Sequence, residues 1–597
     1  MCGFIGKISF KQFSEHDLES NNNNIVCRGP DTKKTIFNKV DNINFHFIFN
    51  RLAILDLSEQ ANQPMYSEDF NTLLMFNGEI FNHDTLRGEL KNSGINFKTK
   101  NSDSEVLLKG LSFQGESFIQ KIIGQFSIAF FNFESKKLLL ARDRLGQKPL
   151  YYFIDDQSIV FGSNYVSVLN TSKKKNININ QVHNYLNFGI VPSTNLLHKG
   201  MQKLDRAEIL EVNFNNSKIE YVKKKYWNIL DYEGNQKFNG EEFFALFTNS
   251  VQIRNQADVP VGNFLSGGID STSIIKNQFD NNINSHTFTV GVEGSKKYDE
   301  SVWANQVVEK YKTNHKLIKI SSSIDTDKVF NSLSSLDEPY ADPSIVPSYL
   351  ISKEISKYFK VAISGDGGDE LFGGYQRTLL SLKKHSKFIS NFSKLYNIYP
   401  SFLGTGSNLL KYSNDSLKIN NAYLTDLKLL NLLKIKNPNL YEMSSLELNS
   451  DYKSLLYSDY NFYLPDQMLY KVDRSSMANS LEVRSPFVDH RLVEYIFGHT
   501  TEYFNSDSPK SILKNYLSSD FDNKFLNRPK QGFVFNIEDW IYNNLNIIHS
   551  VLNEGEIIKN LNKNIIKTLT FKKSRINALR IWKIFVLEYY LTEVCKD

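Results

Sequence analysis

The sequence predicts an α/β protein with an N-terminal α+β domain of stacked antiparallel sheets, followed by a doubly wound parallel-sheet domain with a largely helical C-terminal part. The chain has 597 residues, too many for one hydrophobic core. Its first part consists of short apolar runs separated by Asn, Asp and Gly, and strand and helix patterns alternate in the middle. From about residue 381 onwards the patterns are mostly helical.

Short apolar or alternating runs define the predicted N-terminal domain, residues 1–212. The predicted strands are MCGFIGKISF, NFHFIFNRLAIL, TLLMFNGEI, QFSIAFFNF, KKLLLARD and QSIVFGS. Helical patterns intervene at 104–113 and near 181–188, and many short strands with few helices favour stacked antiparallel sheets. Between 213 and 240 the pattern weakens into Asn, Lys and Gly, so this segment is the predicted linker.

The second predicted domain, residues 241–597, begins with alternating strands and helices. VPVGNFL is a strand followed by the helix STSIIKNQF, and HTFTVGV is a strand followed by the helix VWANQVVEKY. HKLIKI and YFKVAIS complete four predicted strands. Strands separated by helices form parallel βαβ units, and ligands bind such sheets at the carboxyl ends of the strands.

Composition excludes several classes of protein. Hydrophobic residues make up 41% and charged residues 23% of the chain, as in ordinary globular proteins. A net charge of +5, spread over many side chains, gives no indication of a nucleic-acid or membrane partner. Three cysteines are too few for a disulfide framework and favour a reducing compartment. The sequence has no signal peptide and no apolar stretch of about 18 residues, so we expect a cytoplasmic protein.

The stretch FLSGGIDSTS predicts an anion-binding loop at the end of a strand. Gly267 and Gly268 let backbone amides approach an anion, and Ser266 and Ser271 can donate hydrogen bonds. The Walker pattern is absent from the sequence, and Asp270 would repel a phosphate unless Mg²⁺ lay between them. Taken alone, the stretch could also be a glycine-rich turn with a capping serine.

A second glycine loop, AISGDGGDELFGGY, follows another predicted strand and carries Asp366, Asp369 and Glu370. Two such loops at neighbouring strand ends suit a metal-bound pyrophosphate better than a γ-phosphate. The alternative is that Asp369 and Glu370 cap the following helix. SGGIDS resembles the loop of ATP pyrophosphatase enzymes, which adenylate a substrate and release pyrophosphate, and this resemblance implies that the loop binds ATP.

Cys2 follows the initiator methionine and precedes Gly3. If Met1 is removed, Cys2 carries a thiol and a free α-amino group on one residue. The amine has a reference pKa of about 7.7–8.0, close enough to neutrality to accept the thiol proton. Cys2 is therefore a candidate nucleophile that needs no separate histidine base. The alternative is a buried small hydrophobic residue at the start of a strand.

Six segments of the first 160 or so residues favour the nucleophile: MCGFIG, RGPD, NRLAILD, FNGEIFN, SDSE and ARDRLGQKPLYY. In this order they resemble the glutaminase domain of N-terminal-cysteine glutamine amidotransferases, which implies an Ntn-type fold. The resemblance implies that Cys2 attacks the side-chain amide of glutamine. It also implies an oxyanion hole made of the Asn77 side chain and the Gly78 backbone N–H, although Asn77 and Gly78 could form a plain hairpin turn.

Recognition of free glutamine needs a fixed cation and a fixed anion, because the amino acid is a zwitterion. The resemblance assigns Arg51 to the α-carboxylate. It assigns Asp103 and the stretch Gly78–Glu79 to the α-amino group.

Taken together, the two halves resemble glutamine-hydrolysing asparagine synthetase nearly from end to end. The segments of the second half are FLSGGIDS, TFTVGVEGSKKYDES, LDEPYADPSIVPSYLIS, AISGDGGDELFGGYQR, YKVDRSSMANSLEVRSPFVDHRLVEY and NRPKQGF. The implied reaction converts aspartate and ATP to β-aspartyl-AMP and pyrophosphate. Ammonia from glutamine then displaces AMP to give asparagine, which implies a shielded apolar passage between the domains.

The same resemblance implies roles in the second domain. Asp270 and Asp369 would coordinate Mg²⁺, and Asp366 stands at the position linked to formation of the acyl-adenylate. Lys530 would neutralise charge on the phosphates, although a single loop lysine could be ordinary surface. The residues implied for ATP are Phe264 or Leu265, Ser266, Gly267, Gly268, Asp270, Ser271, Val290, Ser364 and Gly365.

The sequence departs from the family pattern at a few positions. Cys27 stands where the family commonly has histidine before RGPD, and Asp205 and Arg206 lie where many members have L-P-P-G-H. Asp366 replaces the glutamate of some members and keeps a carboxylate. The expected partners are glutamine, aspartate and ATP, without nucleic acid or membrane, and a homodimer is the assembly to test.

Three other readings remain. An amidotransferase acting on a sugar acid or peptide carboxylate would carry the same ATP and glutamine motifs. An RNA-modifying ATP pyrophosphatase would have a basic, aromatic-lined face and no glutaminase. A glutamine-sensing or scaffold protein would be expected to have lost Cys2 or Asp270, and both are present.

Overall fold

The computed structural model describes residues 2–192, 194–215, 217–293, 300–321, 324–382, 415–443, 446–504, 508–528, 535–555, 557–562 and 564–595. Lys530 lies outside these residues. Within them, the N-terminal part forms two six-stranded antiparallel sheets. Their strands are β1 Cys2–Ser9, β2 Thr32–Val40, β3 Ile43–Arg51, β4 Met65–Tyr66, β5 Thr72–Ile80, β6 Gly124–Asn132, β7 Lys137–Arg142, β8 Tyr151–Ile154, β9 Ser158–Gly162, β10 Gln202–Lys203, β11 Glu208–Asn215 and β12 Lys218–Lys225.

The two sheets stack because the side chains of their strands alternate between two faces. The strand orders are β10-β8-β9-β1-β3-β2 and β12-β11-β7-β6-β5-β4. Along β5, Leu73 and Met75 face the core shared with β1 and β3, whereas Leu74 and Phe76 face an outer helical layer. The helices of this part are α1 His16–Glu19, α2 His83–Asn92, α3 Asp103–Gln114, α4 Tyr165–Ser172 and α5 Ile179–Phe188. The predicted stacked antiparallel architecture is confirmed.

Part of the segment predicted as a linker is folded. Residues 213–215 end β11, and β12 pairs with β11 as an antiparallel hairpin at the edge of the second sheet. β12, KIEYVKKK, was not predicted, because its apolar/polar alternation covers only the first four residues and ends in a run of three lysines, and no side chain of the strand is fully buried.

The second domain is built on a parallel sheet with the order β15-β14-β13-β16-β17. The strands are β13 Val261–Phe264, β14 His286–Glu293, β15 Asn314–Ser321, β16 Val361–Ile363 and β17 Glu482–Arg484. The chain runs outward from β13 to β15 and then crosses back to β16 beside β13. The predicted doubly wound sheet is thus confirmed, with its switch point between β13 and β16.

Helices surround this sheet and continue towards the C-terminus. They are α6 Gly240–Arg254, α7 Ile269–Asp280, α8 Ser301–Tyr311, α9 Thr326–Ser334, α10 Ile345–Ile355, α11 Gly368–Leu371, α12 Gln376–Leu382, α13 Ser416–Ala422, α14 Leu427–Leu432, α15 Asp451–Ser458, α16 Tyr470–Met477, α17 His490–Gly498, α18 Ser511–Leu517, α19 Asn523–Leu526, α20 Ile537–Asn543, α21 Leu545–Glu554, α22 Ile557–Leu561, α23 Ile565–Thr570 and α24 Arg575–Tyr589.

Short 3₁₀ and π segments complete the described secondary structure. The 3₁₀ segments are Asn22–Asn24, Val26–Arg28, Glu59–Ala61, Gly115–Lys121, Ile229–Tyr232, Pro486–Val488 and Thr501–Tyr503, and the π segments are Asp459–Leu469 and Tyr590–Val594. No described helix combines the length and apolar character that a membrane span requires.

The C-terminal helices join the two domains through one apolar core. Trp582 and Phe585 of α24 are fully buried in the cluster that also contains Tyr165 of α4 and Tyr185 of α5. The Tyr185 hydroxyl donates a hydrogen bond to the backbone carbonyl of Lys583 at 3.0 Å. The largely helical C-terminal part is therefore packed against the N-terminal sheets as well as against its own domain.

Candidate active sites and their interface

The start of β1 holds Cys2 in a buried position. The Cys2 backbone N–H donates to Asn77 Oδ1 at 3.0 Å, and Arg28 Nε donates to the Cys2 carbonyl at 3.2 Å. In the β1–β3 ladder Cys2 lies opposite Arg51. Burial raises the pKa of the Cys2 thiol, and this effect is partly offset by the amino-terminal charge and Arg51. Cys2, Asn77 and Arg51, three of the residues predicted for the glutaminase site, therefore lie together at the start of β1.

β5 presents Asn77 and Gly78 next to the thiol. Asn77 Nδ2 donates to Ser127 Oγ at 3.3 Å, and Asn77 Oδ1 accepts from Cys2, so hydrogen bonds orient both ends of the side-chain amide. Gly78 has φ +154°, and a Cβ at this position would lie 2.0 Å from the carbonyl oxygen of Gln125 on β6. Only glycine fits this close approach of two strands.

Arg51 is held in place by the loop that follows β3. Its Nη1 donates to the Ser58 carbonyl at 2.9 Å and to Asn62 Oδ1 at 2.8 Å, and its Nη2 donates to the carbonyls of Leu55 and Asp56. A guanidinium fixed in this way loses little conformational freedom when it pairs with a carboxylate.

Glu79, which follows Gly78 on β5, and Asp103 form a pair of acidic side chains, and both are nearly fully buried. Asp103 Oδ2 accepts the Ile80 N–H at 3.2 Å. Burial raises the pKa of Glu79 well above its usual value, with Asp103 adding to the effect and Arg484 opposing it. Burial also raises the pKa of Asp103. Two buried acids that favour protonation gain most from an incoming cation.

The second site is a cleft of about 580 Å³ at the switch point of the parallel sheet. The loop after β13 and the loop after β16 both contribute to its wall, with Ser266, Gly268, Asp270 and Ser271 from the first loop. Gly267 has φ +66°, and a Cβ there would lie 2.7 Å from the backbone nitrogen of Ala304. The Gly268 N–H donates to Ser266 Oγ at 3.2 Å, which orders the turn before α7.

The second loop contributes Ser364, Gly365, Asp366 and Asp369 to the same cleft. Ser364 Oγ donates to Asp366 Oδ2 at 2.8 Å, and Ser485 Oγ donates to the Asp366 carbonyl. The structure thus brings the two predicted glycine loops together.

The side chains predicted around adenosine divide between cleft and core. Phe264 lines the cleft. Leu265 is buried with Ile275 and Ala304, and Val290 packs with Phe264 and Phe288 on the sheet. The alternation of β-strand side chains explains why Phe264 and Leu265 face opposite sides.

Asp270 and Asp369 share one cation, the ammonium group of Lys510. Lys510 Nζ lies 2.5 Å from Asp270 Oδ2 and 2.6 Å from Asp369 Oδ1. Mg²⁺ is commonly held by one or two carboxylates together with substrate phosphates. Because these two carboxylates already converge on one positive charge, the residues present fit a phosphate-bound magnesium ion.

Several side chains that line the cleft were not predicted from the sequence. They are Lys471, Lys510, Lys514, Arg528 and Tyr375. Arg528 Nη2 donates to the Ser266 carbonyl at 3.2 Å, next to the first glycine loop. Lys510 is a single basic residue in a loop, and nothing in its local pattern distinguishes it from an ordinary surface charge. Arg528 lies in the segment NRPKQGF, of which only Lys530 was given a role in the sequence analysis.

The two sites meet at a buried interface. Gln125 of β6 and Asp366 of the second loop line one small cavity of about 20 Å³ together with Lys148, Asp473 and Val483. Asp473 accepts two hydrogen bonds from Arg28, at 2.8 and 3.1 Å. The lining of this cavity holds both polar and apolar side chains, and the shielded apolar passage implied by the family resemblance stays a prediction.

Comparisons with known proteins agree with this architecture. Residues 1–227 match the family model described as Glutamine amidotransferase domain, and residues 242–589 match the model described as Asparagine synthase. Fold and matches together define a glutamine amidotransferase joined to an ATP-dependent ligase domain. Since the second match covers more than half of the chain, the chain belongs to the asparagine synthase family.

Three curated relatives are similar over most of their length. The chain is 30% identical to asparagine synthetase [glutamine-hydrolyzing] 1 of Bacillus subtilis, over 98% of this chain and 96% of the relative. It is 33% identical to a putative asparagine synthetase 2 of Methanocaldococcus jannaschii, over 75% and 87%. It is 28% identical to asparagine synthetase 3 of Bacillus subtilis, over 89% and 87%. The chain is therefore an enzyme that uses glutamine for ATP-dependent amidation.

Glu370 in the cleft generates a prediction about stability and pH. Burial, with the neighbouring charge of Asp369, raises the pKa of Glu370 from 4.5 to about 7. Because this carboxyl ionises more easily in the unfolded chain, raising the pH from 4.5 to 7 destabilises the folded state. We expect Glu370→Gln to remove this loss, so that its free energy of unfolding gains roughly 3 kcal/mol relative to wild type across this range.

Urea unfolding at several pH values measures this difference. Glu502→Gln, which changes an exposed carboxylate, serves as the control and should follow the wild type. Parallel pH curves for wild type and Glu370→Gln would contradict the prediction.

Proposed function

We propose that this enzyme makes asparagine from aspartate, with glutamine as the nitrogen donor and ATP converted to AMP and pyrophosphate. The observation that carries the proposal is the pair of sites in one chain. A buried Cys2 with Asn77 lies on one side of the domain interface, and a cleft with two acidic glycine loops lies on the other. We assign residues 1–212 to the glutaminase, 213–240 to the connection and 241–597 to the synthetase, in a cytoplasmic protein for which a homodimer is to be tested.

In the glutaminase step, removal of Met1 gives Cys2 a free amine that accepts its thiol proton. The Cys2 thiolate attacks the side-chain amide carbon of glutamine, ammonia leaves, and water hydrolyses the thioester. Asn77 Nδ2 and the Gly78 N–H stabilise the oxyanion, each donor contributing about 3–4 kcal/mol by analogy with serine proteases. These donors are prepositioned by the contacts of β5 with β1 and β6.

Glutamine recognition uses the charges around the thiol. Arg51 pairs with the α-carboxylate, since the loop at 55–62 already orients its guanidinium. Glu79 and Asp103 bind the α-ammonium group, whose positive charge favours the ionised form of these two buried acids.

In the synthetase step, ATP binds at the switch point of the parallel sheet. Asp270 and Asp369 would hold Mg²⁺, which when bound would neutralise phosphate charge. Asp366 supports formation of the β-aspartyl-adenylate, and Lys530 neutralises charge on the phosphates. The pyrophosphate is gripped by Ser266, Gly267, Gly268 and Ser271, and the adenosine is bordered by Phe264, the Leu265 backbone, Val290, Ser364 and Gly365.

Amination completes the reaction when ammonia attacks the acyl carbon and AMP leaves. The cavity between Gln125 and Asp366 supports a short route between the two sites. The polar side chains in the lining of this cavity can form hydrogen bonds with neutral ammonia along the way.

An acceptor screen tests the substrate assignment. Purified enzyme is incubated with ATP, Mg²⁺, glutamine and one carboxylate at a time, namely aspartate, glutamate, a sugar acid or a peptide carboxylate. We expect release of AMP and pyrophosphate with aspartate and no such release with the others. Release with a sugar acid or peptide instead would assign a different acceptor, and formation of ADP would contradict adenylation.

Cys2→Ala separates the two halves. We expect this variant to lose glutamine-dependent synthesis and glutamine hydrolysis by at least 10³-fold, because the nucleophile is absent. Synthesis with ammonium chloride should remain near the wild-type rate. Cys595→Ala, which removes a buried cysteine of the C-terminal region, is the matched control and should keep both activities. Loss of ammonia-dependent synthesis in Cys2→Ala would contradict the separation.

Asp270→Asn addresses the other half. We expect AMP formation to fall by about 10²-fold or more, since Asp369 alone would then remain of the two carboxylates proposed to hold Mg²⁺. Glutamine hydrolysis should continue. Asp280→Asn at the far end of α7 is the control, and product analysis for AMP and glutamate measures both activities. Equal AMP formation in the two variants would contradict the assignment.

A further inference from the structure

β17 places a fully buried arginine, Arg484, at the contact between the two active sites. Its Nη2 lies 3.1 Å from Glu79 Oε2 of the first domain, and its Nε donates to Glu482 Oε1 of its own strand at 2.6 Å. Nη1 donates to the backbone carbonyls of Arg254 and Gln256, at 3.1 and 2.6 Å. The guanidinium is thus anchored in the second domain and reaches into the first.

On the glutaminase side, the partner of Arg484 belongs to the proposed glutamine pocket. Glu79 lies next to Gly78 on β5, and Asp103 adds a second buried carboxylate. Arg484 is therefore the protein's own cation for the acids that would receive the α-ammonium of glutamine. When glutamine binds, the ammonium and the guanidinium compete for the same carboxylate charge.

On the synthetase side, the strand that carries Arg484 supports the second glycine loop. Arg484 pairs with Ile363 in the β16–β17 ladder, and its carbonyl accepts the Ser364 N–H at 2.9 Å. The next residue, Ser485, donates through Oγ to the carbonyl of Asp366. A shift of Arg484 along its strand would therefore move the loop that lines the ATP and acceptor cleft.

We infer that Arg484 is a positioning residue that couples glutamine binding to occupancy of the synthetase cleft. Arg484 pairs with Glu79 while the glutamine pocket is empty. Once the α-ammonium group binds, the Arg484 guanidinium moves away from Glu79 and towards Glu482. The change reaches Ser364 and Asp366 through β17. By linkage, ATP and acceptor in the cleft change the affinity for glutamine by the same factor. This inference rests on the proposed function.

The coupling is measured with the full-length chain in a Cys2→Ala background, which binds glutamine without turnover. Calorimetry gives the Kd of glutamine alone and with ATP, Mg²⁺ and aspartate, in the background protein and with Arg484→Lys added. We expect the ligands of the cleft to change the Kd by at least about fivefold in the background. In Arg484→Lys, which keeps the charge and loses the forked contacts, the ratio of the two Kd values should approach one.

Arg580→Lys is the matched control, because Arg580 is a buried arginine whose ion-pair partner, Asp426 at 2.8 Å, belongs to neither of the two proposed sites. It should keep the ratio of the background protein. If Arg484→Lys gives too little folded protein, Glu482→Gln tests the same pair from the other side and should also lower the ratio. Ammonia-dependent synthesis by each variant carrying Cys2→Ala reports whether the cleft is intact.

An unchanged ratio in Arg484→Lys, or the absence of coupling in the background protein, would overturn the inference. Failure of the proposed function looks different, since wild-type enzyme would then release neither glutamate from glutamine nor AMP from aspartate and ATP. If Arg580→Lys brought the ratio of the two Kd values as close to one as Arg484→Lys does, the effect would belong to buried ion pairs in general. This result would also overturn the inference.

Discussion

Buried charges that cross the domain interface set the relative position of the two halves. Arg28 and Asp473 form a two-pronged ion pair, and Arg484 reaches Glu79, all four groups being nearly excluded from solvent. A buried charge without its partner costs about 3–5 kcal/mol, so each charge requires the opposite domain in place. Apolar surfaces tolerate sliding, whereas these forked contacts accept one register. The distance between thiol and cleft follows from them.

Helix α16 connects this interface to the cleft. Its Asp473 and Arg474 face the first domain, where Arg474 Nη2 donates to the Tyr151 hydroxyl at 2.6 Å. Lys471 and Ser475, one turn apart, line the cleft instead. The helical period of 3.6 residues thus gives one short segment, YKVDRSS, two faces with different tasks. A displacement of the first domain would be transmitted to the wall of the cleft formed by Lys471 and Ser475, because this helix moves as a rigid body.

The sequence predicted the layers of both domains because long strands such as β5 and β6 carry regular apolar patterns. It did not predict β17, whose three residues, EVR, hold two charges that would ordinarily indicate surface. Those charges are buried only because their partners come from elsewhere in the chain, and a local pattern holds no information about such partners. The same reason applies to Lys510, whose two carboxylates lie 240 and 141 positions away. Asn77 and Ser266 could be proposed as site residues because they lie within short motifs, and a resemblance to a known family is carried by residues that are adjacent in sequence.

The glycines of the second loop serve a more specific purpose than flexibility. A Cβ at Gly368 would lie 2.7 Å from Asp270 Cγ, and one at Gly374 would lie 2.2 Å from Asp369 Oδ1 and 2.6 Å from Lys510 Cε. These glycines therefore remove the side chains that would keep the two carboxylates apart. Two like charges at close range raise each other's cost of ionisation unless a cation lies between them. The GDGGDELFGG pattern thus creates a demand for positive charge at the switch point. Lys510 meets that demand in the protein alone, and the divalent cation of the proposed reaction would meet it when bound.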